Sequence, residues 1–183
     1  MLTLTNQSEA RLNLIRQLFK DSGRVEAIVC GPATNERKQL KRAVLDAADG
    51  LTSDNWQARG DRHTPDRRAQ SDKQLNQMKA RVSALIAQTR EWWKLAADQF
   101  FMDLHLSDAN LTMGGLLAIG EAVIEVTAEP LLECSRFSRQ YDNEATKSVK
   151  SKLAKPLNVQ SINAKVPSFG TVGLGDSIRR TGG

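Results

Sequence analysis

Leu116–Phe137 reads LLAIGEAVIEVTAEPLLECSRF, and its reading decides the fold. Val123, Ile124, Val126 and Thr127 are β-branched and favour a pleated, half-buried backbone. Gly114-Gly115 before the stretch and Gly120-Glu121 within it are turn signals, so a hairpin is expected. Pro130 ends strand geometry because its nitrogen has no hydrogen to give a ladder. Cys134 follows, ahead of a polar, helix-compatible run from Ser135 to Gln140. A strand thus delivers a thiol to a helix start, where free N–H groups favour the thiolate.

Outward from this unit, alternation and turn signals recur. Arg24–Cys30, RVEAIVC, reads as a strand broken by Gly31-Pro32. Phe100–Leu106, FFMDLHL, alternates and reads as a strand, with His105 on one of its faces. Val159–Val166 reads as a strand that breaks at Pro167, and Gly170, Gly173 and Gly175 punctuate short last strands. Two segments carry helical spacing. Leu12, Ile15, Leu18 and Phe19 mark residues 6–20 as an amphipathic helix, and Met78, Val82, Leu85 and Ile86 do the same for residues 74–90. Trp92-Trp93 would pack the end of that second helix on the sheet. Residues 36–47 fit a helix or a strand equally, and 143–150 suit a short helix. Many short strands with glycine turns predict a mainly β (α+β) chain, a closed or partly closed barrel with peripheral helices. Residues 1–22 form a helical extension on this reading, and 23–183 the barrel domain.

Composition narrows the function. The chain has 183 residues, 40% apolar and 26% charged, ordinary for a globular protein. Its net charge of +5 would draw a phosphate-bearing ligand but does not argue for nucleic acid. Five Phe, three Trp and one Tyr are too few for a base-stacking platform. No run approaches the roughly 20 apolar residues that span a bilayer, and the N-terminus lacks a signal-peptide pattern. The expectation is a cytoplasmic protein without nucleic-acid or membrane partners; the oligomeric state is left open.

Cys30 and Cys134 make no disulfide framework. Cys30 reads as a small buried hydrophobe at a strand end. Cys134, in polar surroundings, reads either way. His63 and His105 have no zinc spacing around them. GTVGLG at Gly170–Gly175 lacks dinucleotide-fingerprint spacing, and no P-loop, HExxH or GxSxG occurs. Two histidines give no basis for a Ser-His-Asp assignment. The polar loop over residues 49–73 is long enough to be functional, with Trp56 anchoring it.

In order, the pieces GRVEAIV, DGLTSDNW, QLNQMKARVSALIA, ADQFFMDLHLSDANL, GGLLAIGEAVIEVTAEP with Cys134 and Phe137, INAKV and GTVGLGDSI resemble a MOSC domain protein. The family is named for the C-terminal domain of molybdenum cofactor sulfurase. The resemblance runs from about Gly23 to Arg180. It implies a barrel of the kind also seen in a pyruvate kinase domain. It also implies molybdenum cofactor (molybdopterin) binding or sulfur carriage at one cysteine, which corresponds to Cys134 as catalytic residue and metal ligand. Some members reduce N-hydroxylated compounds. Family descriptions also carry pyridoxal phosphate binding, but no lysine desulfurase domain fits here and no Schiff base is expected. The partner is then an anionic pterin cofactor or a persulfide donor. Arg136, Arg139, Asn163 and Lys165, with Asp54 and Trp56 of the early loop, are the cofactor-binding candidates. Arg136 favours the Cys134 thiolate and Glu133 opposes it.

The chain departs from the family pattern at Pro130-Leu131-Leu132-Glu133, where relatives carry a Pro-His-x-Gly run. It departs again at Ser53-Asp54, Asn76, Tyr141-Asp142 and Gln160-Ser161. The lost histidine and arginine would donate to a phosphate or oxo group. The alternative is therefore a non-catalytic binding module with a decayed pocket.

Overall fold

A computed structural model describes residues 13, 17, 19–86, 90–96, 98–107, 110–128 and 161–182. Eleven strands are described. They are β1 (Ser22–Cys30), β2 (Lys38–Leu40), β3 (Arg42–Asp46), β4 (Gly50–Leu51), β5 (Leu75–Lys79), β6 (Phe100–Met102), β7 (Leu116–Ile119), β8 (Ala122–Val126), β9 (Ile162–Ser168), β10 (Gly170–Gly173) and β11 (Ser177–Gly182). Two short helices accompany them, α1 (Trp56–Arg59) and α2 (Ala80–Ile86), with 3-10 turns at Ser71–Lys73 and Arg90–Ala96.

The hairpin forms as its alternation requires. In β7, Leu117 and Ile119 are buried; in β8, Ala122, Ile124 and Val126 are. Ile119 pairs with Ala122, leaving the two-residue turn Gly120-Glu121. Gly120 has φ +56°, which a hairpin turn of this length favours and a side chain resists. Each aliphatic side chain taken fully out of water here contributes about 1.5–3 kcal/mol.

The hairpin is part of a closed ring of strands in the order β1, β11, β7, β8, β9, β5, β6 and back to β1. Closure comes from the length of β1. One of its edges pairs with β6; on the other, Ser22–Arg24 meet β11 and Ile28–Cys30 carry β2. All contacts in the ring are antiparallel except β5–β6. A second sheet, β10-β3-β4, lies beside the ring. The barrel is filled by one hydrophobic cluster that includes Val25, Ile28, Leu75, Phe100, Met102, Leu117, Ile124, Ala164 and Ile178.

A smaller apolar layer covers the outside. Ala80, Val82 and Trp93 are buried, and Trp93 stacks on Phe101 of β6 with ring centroids 5.3 Å apart. Such a pair contributes about 0.5–1.5 kcal/mol beyond its buried area. Arg81 binds Asp103 at 2.9 Å and fixes the start of α2 to the end of β6.

The barrel confirms the expected fold class, and Trp56 is buried as the anchor of its loop. Three local readings change and one open reading is settled. Residues 74–90 are not one helix: Leu75–Lys79 form β5, and α2 covers only Ala80–Ile86. The ladders from β9 and β6 on its two edges override the helical spacing. Residues 36–47 resolve as strands, because Ala43 and Leu45 alternate into the core. The strand read at Phe100–Leu106 stops at Met102, and His105 sits in the irregular segment beyond it. Finally, β9 runs through Pro167 to Ser168. The β8–β9 register shifts between Val123 and Glu125, so the missing N–H falls at an irregularity. The helices read at 6–20 and 143–150 lie outside the described residues, apart from a few positions near the first.

Candidate functional site

The C-terminal end of β1 delivers Gly31 to a meeting point of three loops. The Gly31 N–H donates to Asp54 Oδ2 at 2.7 Å, and the Asn55 N–H donates to the Gly31 carbonyl at 2.9 Å. Asp54 N–H also donates to the Leu51 carbonyl at 2.8 Å, holding the turn that opens α1. Gly31 is needed because of what lies over it. A Cβ there would sit 1.8 Å from Arg37 Nη1 and 3.4 Å from Asp54 Oδ2. The glycine leaves room for the Arg37 guanidinium beside the Asp54 carboxylate.

Arg37 in turn acts on Asp98, just before β6. Asp98 is 4% exposed. Burial pushes its carboxyl up to about 7, against the lowering pull of a hydrogen bond with the Ser161 side chain and of the Arg37 charge. Ser161 immediately precedes β9. The Ser161 hydrogen bond links the entry to β9 with the entry to β6.

Several polar atoms in this half of the chain are buried without a hydrogen-bond partner. They are Asp54 Oδ1, Asn55 Oδ1 and both ends of the Gln77 carboxamide. Gln77 is fully buried and shares a face of β5 with Leu75, a member of the barrel core. Asp54 Oδ1 and Asn55 Oδ1 are acceptors on one turn, and the Arg37 guanidinium lies beside Asp54.

The predicted residues divide accordingly. Asp54 is at the Gly31 turn, with Trp56 two residues on, buried at the start of α1. Asn163 and Lys165 lie on β9, out of phase with Ile162, Ala164 and Val166 of the core, so they face away from it. Asn163 is buried, and its carbonyl accepts from Thr127 N–H at 3.1 Å. Lys165 Nζ lies 3.1 Å from Glu125 and 3.9 Å from Asp72, and is engaged by carboxylates. Cys134, Arg136 and Arg139 lie outside the described residues. Cys30 is buried at 2% exposure, as a strand-end hydrophobe would be.

Arg37, Gln77 and Asp98 were not legible as site residues; Ser161 was legible only through the departure at Gln160-Ser161. Asp98 stands in ADQFF, where a carboxylate before an apolar run reads as a turn residue. Its partners are distant in sequence and come together only through barrel closure. Among the described residues no group of three or more His, Cys, Asp or Glu is arranged to hold a metal ion, and no helix is long and apolar enough to cross a membrane.

No protein-family profile matches the sequence, and no curated protein matches it. Solved structures do match. The chain is similar to YuaD from Bacillus subtilis, with a TM-score of 0.64 and 14% identity over 88% of this chain and 97% of that one. YiiM from Escherichia coli gives a TM-score of 0.52 and 15% identity, covering 87% of this chain and 70% of that one. YiiM from Geobacillus stearothermophilus gives 0.51 and 11%, covering 87% and 75%. YuaD and YiiM are MOSC-domain proteins, and at these identities the likeness carries the fold alone. The chain has a closed barrel of the MOSC type.

Proposed function

We propose that this chain binds a molybdenum-bearing pterin, or carries sulfur, through Cys134. The observation that supports the reading most is the MOSC-type barrel together with the position of Cys134 in sequence, between β8 and β9. A soft thiolate suits both a molybdenum bond and a sulfane sulfur. The unpartnered acceptors Asp54 Oδ1 and Asn55 Oδ1 suit the N–H groups of a pterin, and the Arg37 guanidinium suits its phosphate. When bound, the cofactor would supply two-electron redox chemistry at the metal. The protein's own residues would bind and orient it.

The test is purification from a host that makes molybdopterin, followed by metal analysis and pterin fluorescence. The wild-type protein should carry metal and pterin, or transferable sulfur, and Cys134→Ser should lose them with its fold intact. Native protein without metal, pterin or sulfur would refute the reading.

A second reading, a non-catalytic module of the same fold, is favoured by one observation. Lys165 is held between Glu125 and Asp72, so a cation expected to face an anionic cofactor is neutralised within the protein. Equal and slow alkylation of Cys134 and Cys30 by iodoacetamide at neutral pH would favour this reading, since a ligand or carrier thiol must be ionisable and reachable.

A further inference from the structure

The loop that follows the Asp54–Trp56 turn carries a charge pattern that neither reading of Cys134 uses. Residues 59–68 read RGDRHTPDRR, with four arginines and two aspartates. The loop is closed on itself. Gly60 ends α1 at φ +63°, and a Cβ there would lie 2.0 Å from the Arg67 carbonyl oxygen. Asp61 N–H donates to that same oxygen at 3.3 Å. Arg67 N–H donates to the Thr64 carbonyl at 3.1 Å, and the Thr64 hydroxyl donates to the Asp61 carbonyl at 3.0 Å. A loop closed in this way is ordered before a partner arrives, which lowers the entropy lost on binding.

The carboxylates of the loop are engaged within it, and most of its guanidiniums are not. Asp61 accepts from Lys73 Nζ at 2.9 Å and from His63 N–H at 2.8 Å, and its side chain is 11% exposed. Asp66 holds Arg68, with Nε 3.2 Å from Oδ2. Arg59, Arg62 and Arg67 are exposed, and among the described residues no carboxylate lies within ion-pair distance of them. Arg67 also has φ +55°, a left-handed backbone that an arginine adopts at a cost and a glycine adopts freely. Like charges crowded on one loop repel, so both features work against stability. Carboxylates placed opposite the arginines relieve the repulsion.

We propose that residues 59–68 are a docking surface for an acidic face of another protein, with Arg59, Arg62 and Arg67 as its contacts. A guanidinium presents a planar fork that matches a carboxylate. The loop holds no aromatic side chain, so it offers no platform for a nucleobase. The exposed large apolar side chains among the described residues are Phe19, Met113, Phe169 and Leu174. None of them is on the loop, which therefore has no wedge for a lipid surface. Because α1 spans four residues, a partner on this loop docks about one helical turn from the Asp54 turn. The surface is independent of what Cys134 does.

The test uses the full chain, with a fluorescein-labelled oligoglutamate peptide as the probe, read by fluorescence anisotropy at low salt and neutral pH. The triple variant Arg59→Gln, Arg62→Gln, Arg67→Gln should weaken binding about tenfold. The variant Lys38→Gln, Lys41→Gln, Lys94→Gln removes the same charge from exposed lysines elsewhere and should weaken it by less than about twofold. Arg67→Gly separates binding from folding. It should weaken the peptide about threefold, while its thermal midpoint equals or exceeds that of the wild type. Oligothymidylate of equal charge and vesicles containing phosphatidylserine stand for the other polyanions. Equal losses in the two triple variants, or tighter binding of either polyanion than of the peptide, overturns the proposal.

Discussion

The backbone N–H of Gly31 and the Oδ2 of Asp54 are joined by a hydrogen bond of 2.7 Å across 23 residues of sequence. It connects the end of β1, the longest of the described strands, to the turn that opens α1. Removing the carboxylate leaves a partly buried N–H without its acceptor. Asp54→Ala should therefore destabilise the protein by about 1–3 kcal/mol, and Asp54→Asn, which keeps an acceptor, by clearly less. Urea midpoints of the two variants give the comparison. Equal losses would mean that the hydrogen bond is not what Asp54 contributes.

Two glycines should respond oppositely to what their backbone angles alone suggest. A Cβ on Gly170 would lie 2.4 Å from the carbonyl carbon and oxygen of Glu121, which belong to a tight turn and cannot retreat. Gly175 has φ +84° but open space around it. Gly175→Ala should cost about 1 kcal/mol for the left-handed backbone. Gly170→Ala should cost more, about 3 kcal/mol or above, because backbone must move. Thermal midpoints that rank the other way would contradict the packing at the Glu121 turn.

Ser107 Oγ and His105 Nδ1 lie 2.8 Å apart, a distance found in serine hydrolases. Both residues are buried, at 2% and 7% exposure, and they are near neighbours in sequence. Asn110 Nδ2 donates to the His105 carbonyl at 2.8 Å and to the Lys20 carbonyl at 2.7 Å, so the group braces an irregular loop. A fluorophosphonate probe should not label Ser107 in the native protein. Ser107→Ala should lower stability by about 1–2 kcal/mol. Stoichiometric labelling would make the pair catalytic.

The pH dependence of stability carries a signature of Asp98. Its folded-state value, about 7, lies above the ordinary aspartate value of about 3.9, so the folded state binds the proton more tightly than the unfolded state does. The stability linked to that proton is complete below about pH 4 and is lost as pH rises toward 7, up to about 4 kcal/mol in all. Asp98→Asn should be less pH-sensitive over that range and should surpass the wild type in stability above pH 7. Parallel pH profiles for the two proteins would refute the assignment.

The parts of the fold that alternate cleanly were legible. Leu117, Ile119, Ile124 and Val126 announce the hairpin, because each faces one interior and each intervening residue tolerates water. β5 was concealed by Gln77, a polar side chain at a position where the core expects an apolar one. The apolar spacing of the helix that follows then absorbed it. In β6, Phe100, Phe101 and Met102 are all buried, because α2 and its turn cover the outer face that alternation assumes is wet. Trp56 was legible as the anchor of its loop, because the loop is long and polar. Arg37 and Asp98 were not legible, because nothing local links residues that only the closed sheet brings together.

The single parallel contact among the described strands, β5–β6, follows from arithmetic. Walking round a closed ring, each antiparallel neighbour reverses direction, and the walk must return to β1 with its direction unchanged. The number of reversals is therefore even. A ring of seven strands has seven contacts and cannot be antiparallel throughout. At least one contact must be parallel, and here it is the one whose strands are joined by α2 and the Arg90–Ala96 turn. Parallel neighbours cannot be joined by a tight hairpin, so the chain has to travel outside the ring to come back in the same direction. The outer apolar layer of Val82, Trp93 and Phe101 is thus the covering that an odd barrel obliges its chain to build.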